Sequence, residues 1–296
     1  MVEERVYDCI IIGAGPGGLQ AAIYLGRYNR DVLLIDRSGG RTWHAKQIEN
    51  FLTQKSISGR EMIETGKEQA RNFNVTIERG LVVNVLKNRT FEVYTEENRF
   101  LSKFVIVSSG GYDNLPPMEN VHKFLGNGFF TCIDCDGYRT TGKRLVLLGN
   151  SLQTVHLAFA MKEMYTKDIT LILYFLQVPE EYKEELRDEK ICLIVDRPKK
   201  IVGHEKIQGI ELHDGSIIEC EVIMSNFGYK LNDRFLSSLN LKRDGDHFKY
   251  MTSRTYESSL SGLYIVGPLT GNDQAIIAAG EGAVVAIDLK KRLLDI

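Results

Sequence analysis

Three stretches of the chain share one pattern: a short unbroken apolar run, a turn of small residues, and a longer mixed stretch. In the first, Cys9 to Ile12 is apolar at every position and too short for a helix, which predicts a buried strand. Residues 17–28 then read as a helix, and VLLID at 32–36 as a second strand. The second stretch, 143–175, again reads strand, helix, strand, with TLILYF as its closing run. The third, 262–289, reads strand, glycine-containing turn, helix. This alternation predicts an α/β fold with two Rossmann-like βαβ domains. No other internal repeat and no low-complexity tract is visible.

Composition narrows the class. The 296 residues are enough for two domains, and 43% hydrophobic content fills sizeable cores. A net charge of −2 gives no global field for nucleic acid or an anionic membrane surface. The start, MVEERVYD, is acidic, unlike a signal peptide, and no apolar run reaches the ~18 residues of a membrane span. The expected location is the cytoplasm.

The first block carries candidate chemistry. Gly13, Gly15 and Gly18 match G-x-G-x-x-G between a strand and a helix. Gly13 allows the tight turn, Gly15 admits a pyrophosphate against bare backbone, and Gly18 lets helix and strand pack closely. The helix N-terminus then faces the phosphates. Asp36 ends the second strand, where a carboxylate can accept from a ribose hydroxyl. The block reads as a dinucleotide site.

FFTCIDCDGY at 129–138 carries the second candidate. Cys132 and Cys135 stand two residues apart with Asp136 beside them, whereas Cys9, Cys192 and Cys220 are scattered. The pair can be half a zinc site, a structural disulfide or a redox dithiol. Zinc lacks ligands: no second cysteine pair exists, and no two histidines have finger spacing. A disulfide this short constrains the unfolded chain little. The redox reading needs an electron source elsewhere in the chain. Cys9, Cys192 and Cys220 lie in or beside apolar runs and are expected to be buried, inert thiols.

Taken in order, the GxGxxG block, GGRT at 39–42, IENF at 48–51, C-x-x-C-D-G at 132–137 and DQA at 273–275 resemble the low-molecular-weight thioredoxin reductases over essentially the whole chain. The resemblance implies bound FAD. It implies that Gly13, Gly15, Pro16, Gly17, Gly18, Asp36 and Arg37 hold the ADP part. Gly40, Arg41, Thr42 and Asn50 would run beside the flavin, Gly110 would belong to the cofactor site as well, and Gly267, Gln274 and Ala275 would approach it from the C-terminal block. Cys135 would face the flavin, Cys132 would attack the substrate disulfide, and Asp136 would manage the proton of the departing thiol. A thioredoxin-like partner and a homodimer are implied as well. Two positions depart from the family pattern: its Gly-Asp is Gly267-Pro268 here, and its Arg before Gln is Asp273. The ribityl-contacting carboxylate is therefore missing, with Thr270, Asn272 or Asp273 as possible substitutes.

The second βαβ block should bind NADPH and is eroded. Gly149 is present, but Ser151 and Thr154 stand where the second and third small residues belong. TLILYF is followed by QVPEEYKEE, net acidic, where the family has a basic run for the 2′-phosphate. The chain thus resembles the subset with degenerate NADPH motifs, some of which take electrons from ferredoxin. The alternatives are an NAD(P)H-dependent reductase, a dithiol oxidase passing electrons to oxygen, and a non-catalytic FAD-binding protein. The expected domains are 1–115 with 247–296 for FAD, and 116–246 for the inserted unit. The crossings would be LPPM at 115–118 and RDGDHF at 243–248, which could act as a hinge.

Overall fold

The computed structural model describes residues 4–174, 176–245 and 248–294. Two compact units emerge, Met1–Tyr112 with Lys230–Ile296, and Asp113–Tyr229.

The first unit opens with β1 (Val6–Ile12), α1 (Pro16–Arg27), β2 (Val32–Asp36), α2 (Gly59–Arg71) and β3 (Thr76–Arg79). An antiparallel meander follows, β4 (Val82–Lys87), β5 (Phe91–Thr95) and β6 (Arg99–Val107), and β7 (Gly111–Asp113) leads out. The sheet runs β3-β2-β1-β6-β5-β4, with β1 parallel to both β2 and β6. Successive side chains of a strand alternate faces. Cys9, Ile11, Val32 and Leu34 therefore enter one core with α1 and α2, while Ile10, Ile12, Leu33 and Ile35 enter the core on the opposite face. That double burial explains the unbroken apolar runs.

The second unit contains α3 (Val121–Phe124), β8 (Phe129–Phe130), α4 (Ile133–Asp136), β9 (Leu145–Gly149), α5 (Gln153–Met164), β10 (Ile169–Leu173), α6 (Glu180–Asp188) and β11 (Cys192–Val195). A three-stranded antiparallel sheet, β12 (Pro198–Gly203), β13 (Ile207–Leu212) and β14 (Ile217–Glu219), precedes β15 (Val222–Asn226). The parallel sheet has the order β11-β10-β9-β15-β8, so β10 and β15 flank the central β9. Cys192 is exposed because β11 is an edge strand, which corrects its expected burial; Cys9 and Cys220 are buried. Burial pushes the Cys220 thiol up to about 12 and that of Cys9 higher still, so neither is a nucleophile near neutrality.

The chain returns through β16 (Tyr229–Leu231), paired with β7 as a two-stranded ribbon. β17 (Leu263–Ile265) joins β6 in parallel, and α7 (Ala275–Leu294) closes the unit. The return therefore comes well before RDGDHF. Residues 231–245 belong to the first unit because Phe235 and Leu236 are buried against its meander core. Asn232 also exchanges two hydrogen bonds with Ser109, at 2.6 and 3.0 Å. Asp246 and His247, where the second crossing was expected, and Phe175, at the end of TLILYF, lie outside the described residues.

α1 and α7 pack backbone to backbone. A Cβ on Gly282 would stand 2.0 Å from the Gly17 carbonyl oxygen, and one on Gly17 would stand 2.9 Å from that of Ala278. This contact fixes the N-terminus of α1 against the second turn of α7. No helix among the described residues is long and apolar enough to cross a membrane.

Candidate functional site

In the first unit a cavity of about 580 Å³ lies at the C-terminal end of β1. Its walls are the Gly13–Gly17 turn, Asp36–Trp43, Ser108–Tyr112, Leu231–Phe235, and Gly267, Pro268 and Asp273–Ala275. Each fingerprint glycine has a separate reason. Gly13 has φ +101°, and a Cβ there would sit 2.4 Å from the Ser108 carbonyl oxygen. A Cβ on Gly18 would fall 2.1 Å from the Gly13 carbonyl oxygen, so helix and strand touch through it. Gly15 has no protein atom within 3.6 Å of that position, and its bare backbone borders the cavity. No side chain caps α1, whose first N–H groups open toward the cavity as an anion site.

Asp36 accepts the Ala14 N–H at 3.1 Å and lies 3.3 Å from the Lys67 ammonium. Lys67, only 8% exposed, also pairs with Glu64 and stands 5.6 Å over the Trp43 ring. A lysine inside an amphipathic helix reads as surface, so nothing in the sequence marked it. The rim is joined by residues far apart in sequence. Arg41 pairs with Asp273 at 2.9 Å, and Asn50 Nδ2 donates to Gln274 Oε1 at 3.2 Å. Asp273, which stands where the family has an arginine, thus pairs with Arg41 of the GGRT loop.

Of the expected cofactor residues, Gly13, Gly15, Pro16, Gly17, Asp36, Arg37, Gly40, Arg41, Thr42, Gly110, Gly267, Gln274 and Ala275 line this cavity. Gly18 lies behind it as a packing residue, and Asn50 reaches it through Gln274. Ser108, Ser109, Tyr112 and the 231–235 segment also line it and were not anticipated. Thr270 and Asn272 are not free to replace the missing ribityl carboxylate: both lie within hydrogen-bond distance of the buried Glu281, at 3.2 and 2.8 Å.

In the second unit Cys132 and Cys135 are joined as a disulfide. Cys132 caps α4, its sulfur accepting the Cys135 N–H at 3.2 Å. Asp136 pairs with Arg139 at 2.9 Å. Gly137 is required by packing, since a Cβ there would meet the Tyr165 ring at 2.7 Å. Among the described residues no group of three or more His, Cys, Asp or Glu could hold a metal.

The crevice at the end of β9 is filled. A Cβ on Gly149 would stand 2.0 Å from Thr154 Oγ1, so the fully buried threonine occupies the space beside that glycine. Asn226 Nδ2 reaches the same hydroxyl at 3.4 Å. Tyr174, just after β10, and Phe227, just after β15, meet edge to face at 4.9 Å. Because β10 and β15 flank β9, these rings meet from both sides of its C-terminal end. The Tyr174 hydroxyl has no hydrogen-bond partner among the described residues, and burial pushes its pKa up to about 12, Arg197 opposing. After β10, Lys183 and Arg187 both pair with Glu180 at 3.1 Å.

Comparison with known proteins converges with this geometry. Residues 7–283 match the family described as pyridine nucleotide-disulphide oxidoreductase. A thioredoxin reductase of Aquifex aeolicus is 30% identical, with 98% of this chain and 94% of the relative covered. A 34.2 kDa protein in the rubredoxin operon of Clostridium pasteurianum is 27% identical, with 98% of each covered. The crystal structure of HlmI superposes with a TM-score of 0.93 at 25% identity, over 100% of this chain and 95% of that one.

The first unit fits the family's cofactor, FAD. An open helix N-terminus and bare Gly15 suit a pyrophosphate, and a carboxylate ends β2 where a ribose would lie. The cavity continues to the N-terminus of α7. From residues 7 to 283 the chain belongs to the pyridine nucleotide-disulphide oxidoreductase family, as a thioredoxin reductase-like enzyme, a flavin disulfide oxidoreductase whose cofactor is FAD.

Proposed function

We propose that this enzyme reduces the disulfide of a thioredoxin-like protein and draws its electrons from ferredoxin or a similar one-electron carrier, not from a nicotinamide dinucleotide. The observation that carries the donor assignment is the filled crevice of the second unit. A dinucleotide on a βαβ unit needs its pyrophosphate against bare backbone at the end of the central strand. Here Thr154 packs on Gly149, and Tyr174 and Phe227 meet from the flanking strands. Lys183 and Arg187 pair with Glu180 within a net-acidic α6 rather than forming a basic run.

FAD held in the first unit's cavity would supply the electron pair that reduces the Cys132–Cys135 disulfide. Cys132 and Cys135 then hold two electrons and two protons as a dithiol. The Cys135 N–H at the Cys132 sulfur favours a thiolate there. That thiolate attacks one sulfur of the partner disulfide, forming a mixed disulfide and releasing the partner's other sulfur as a thiolate. Cys135 next attacks Cys132, closing the internal disulfide and freeing the partner as a dithiol. Asp136, oriented by Arg139, relays the proton that Cys135 gives up.

Arg197 supports a second reading, retained NAD(P)H use, because its charge reaches Tyr174 beside the crevice. Calorimetric titration with NADPH and with 2′,5′-ADP separates the two. Dissociation constants of about a millimolar or weaker support the carrier reading; values of a few micromolar or tighter sink it. We further propose a cytoplasmic homodimer. Its support is the free thiols and the exposed Ile276, Ile277, Val284 and Ile287 on α7, a face a second copy would cover. Light scattering at one chain mass would refute the dimer.

A further inference from the structure

Glu281 is 2% exposed and sits in the second turn of α7. Its carboxylate accepts the backbone N–H of Gly267 through Oε2 and the Asn272 amide through Oε1 at 2.8 Å. The Thr270 hydroxyl stands 3.2 Å from Oε1 and also donates to the Gly267 carbonyl at 2.8 Å. These three groups span the whole turn between β17 and α7. Gly267, at the start of that turn, has φ +75° and lines the cavity together with Pro268. The same turn of α7 carries Ala278 and Gly282, which touch the Gly17 backbone at the mouth of α1. One side chain therefore ties the C-terminal cavity wall to the helix that braces the glycine turn.

No cation among the described residues is within ion-pair distance of Glu281. Tyr256 is the titratable group whose field it shares, and the first turn of α1 carries no acid. Burying a carboxylate without a cation is costly unless hydrogen bonds satisfy it. The fold alone does not call for this charge. The turn does: the Gly267 N–H and the Asn272 amide donate to its two oxygens with the Thr270 hydroxyl beside them, and Pro268 supplies neither an N–H nor the carboxylate that the family pattern places after the glycine.

We propose that Glu281 is a positioning residue for FAD, holding the 267–272 turn from beneath in place of a ligand-contacting carboxylate at 268. The proposal rests on FAD occupying the first unit's cavity and is independent of the electron donor. The full-length chain, stripped of flavin, is titrated with FAD by fluorescence, and the melting temperature of the flavin-free protein is read in parallel. Glu281→Leu leaves the Gly267 N–H and the Asn272 amide without their acceptor and should weaken FAD binding by roughly tenfold or more in the chain that still folds. Glu281→Gln, which keeps an acceptor for Gly267, should restore binding to within about threefold of wild type. Asn272→Ala, at an exposed position, removes one donor and should weaken binding by about threefold without touching the core. If Glu281→Leu does not fold, Asn272→Ala and Glu281→Gln decide alone. Wild-type FAD affinity in Glu281→Leu, or in Asn272→Ala where the leucine variant does not fold, overturns the proposal. So does equal loss in the leucine and glutamine variants. FAD failing to bind the wild-type chain would instead refute the cofactor assignment.

Discussion

The two βαβ units of this chain have the same order of elements and opposite treatment of one position. In the first, Gly18 brings α1 onto β1 so closely that a Cβ would lie 2.1 Å from the Gly13 carbonyl oxygen. In the second, Thr154 fills the corresponding place and packs on Gly149. The first turn is thereby bare and faces a cavity; the second is occupied by its own side chains and roofed by Tyr174 and Phe227. Topology is thus shared by a ligand site and a filled one. What separates them is whether backbone or side chain stands at the end of the central strand.

Transplanting the threonine is the most severe way to break this contrast. Gly18→Thr drives a side chain into backbone that cannot yield, and should cost more than about 3 kcal/mol and abolish flavin retention. Thermal melting and the flavin absorbance of the purified protein read both effects. The cysteine pair gives the next largest change. Cys132→Ser should end disulfide turnover while leaving Cys135 able to form a long-wavelength band with oxidised flavin. That band in Cys135→Ser instead would reverse the two roles.

The reverse transplant sharpens the contrast. Ser151→Gly with Thr154→Ala and Phe227→Ala should open the second crevice and bring NADPH binding up by at least about tenfold. Because Thr154 is buried, the same change should cost about 2 kcal/mol of stability, read by denaturant midpoint. The Arg41–Asp273 pair, at the rim of the first cavity, is a smaller test. Both side chains are partly exposed, so a double-mutant cycle on FAD affinity should give under about 1 kcal/mol and decline with salt.

The smallest effect is in pH. Burial raises the Glu281 carboxyl above its ordinary value. A raised carboxyl favours folding below its unfolded pKa and loses that contribution as pH rises through the folded one. Wild type should therefore gain stability relative to Glu281→Gln as pH falls from neutral through mildly acidic values. A difference that grows toward alkaline pH would show the opposite sign.

Legibility followed locality. The apolar runs, the glycine fingerprint and C-x-x-C-D-G are contiguous, and their spacing is enough to place them on strand, turn and short helix. The missing parts come from contacts between distant residues. Tyr174 reads as the end of a strand and Phe227 carries no signal of its own, and only the order β10-β9-β15 brings them together. Asp273 reads as an isolated departure, and only the fold brings Arg41, 232 residues earlier, into an ion pair with it. Glu281 and Lys67 lie in helices where an isolated charge reads as solvated surface. The return crossing was misplaced because RDGDHF has linker composition, whereas Phe235 and Leu236, before it, are already core.

The central claim is that electrons reach this flavin without a nicotinamide. The direct measurement is anaerobic stopped-flow of the oxidised holoenzyme, following flavin bleaching after mixing with NADPH, NADH or reduced ferredoxin. A thioredoxin disulfide lies near ~−270 mV, so a carrier poised well below that can drive the reaction. The account predicts fast bleaching by reduced ferredoxin and slow or absent bleaching by either nicotinamide at sub-millimolar concentration. Rapid stoichiometric bleaching by NADPH, with none by ferredoxin, would contradict it.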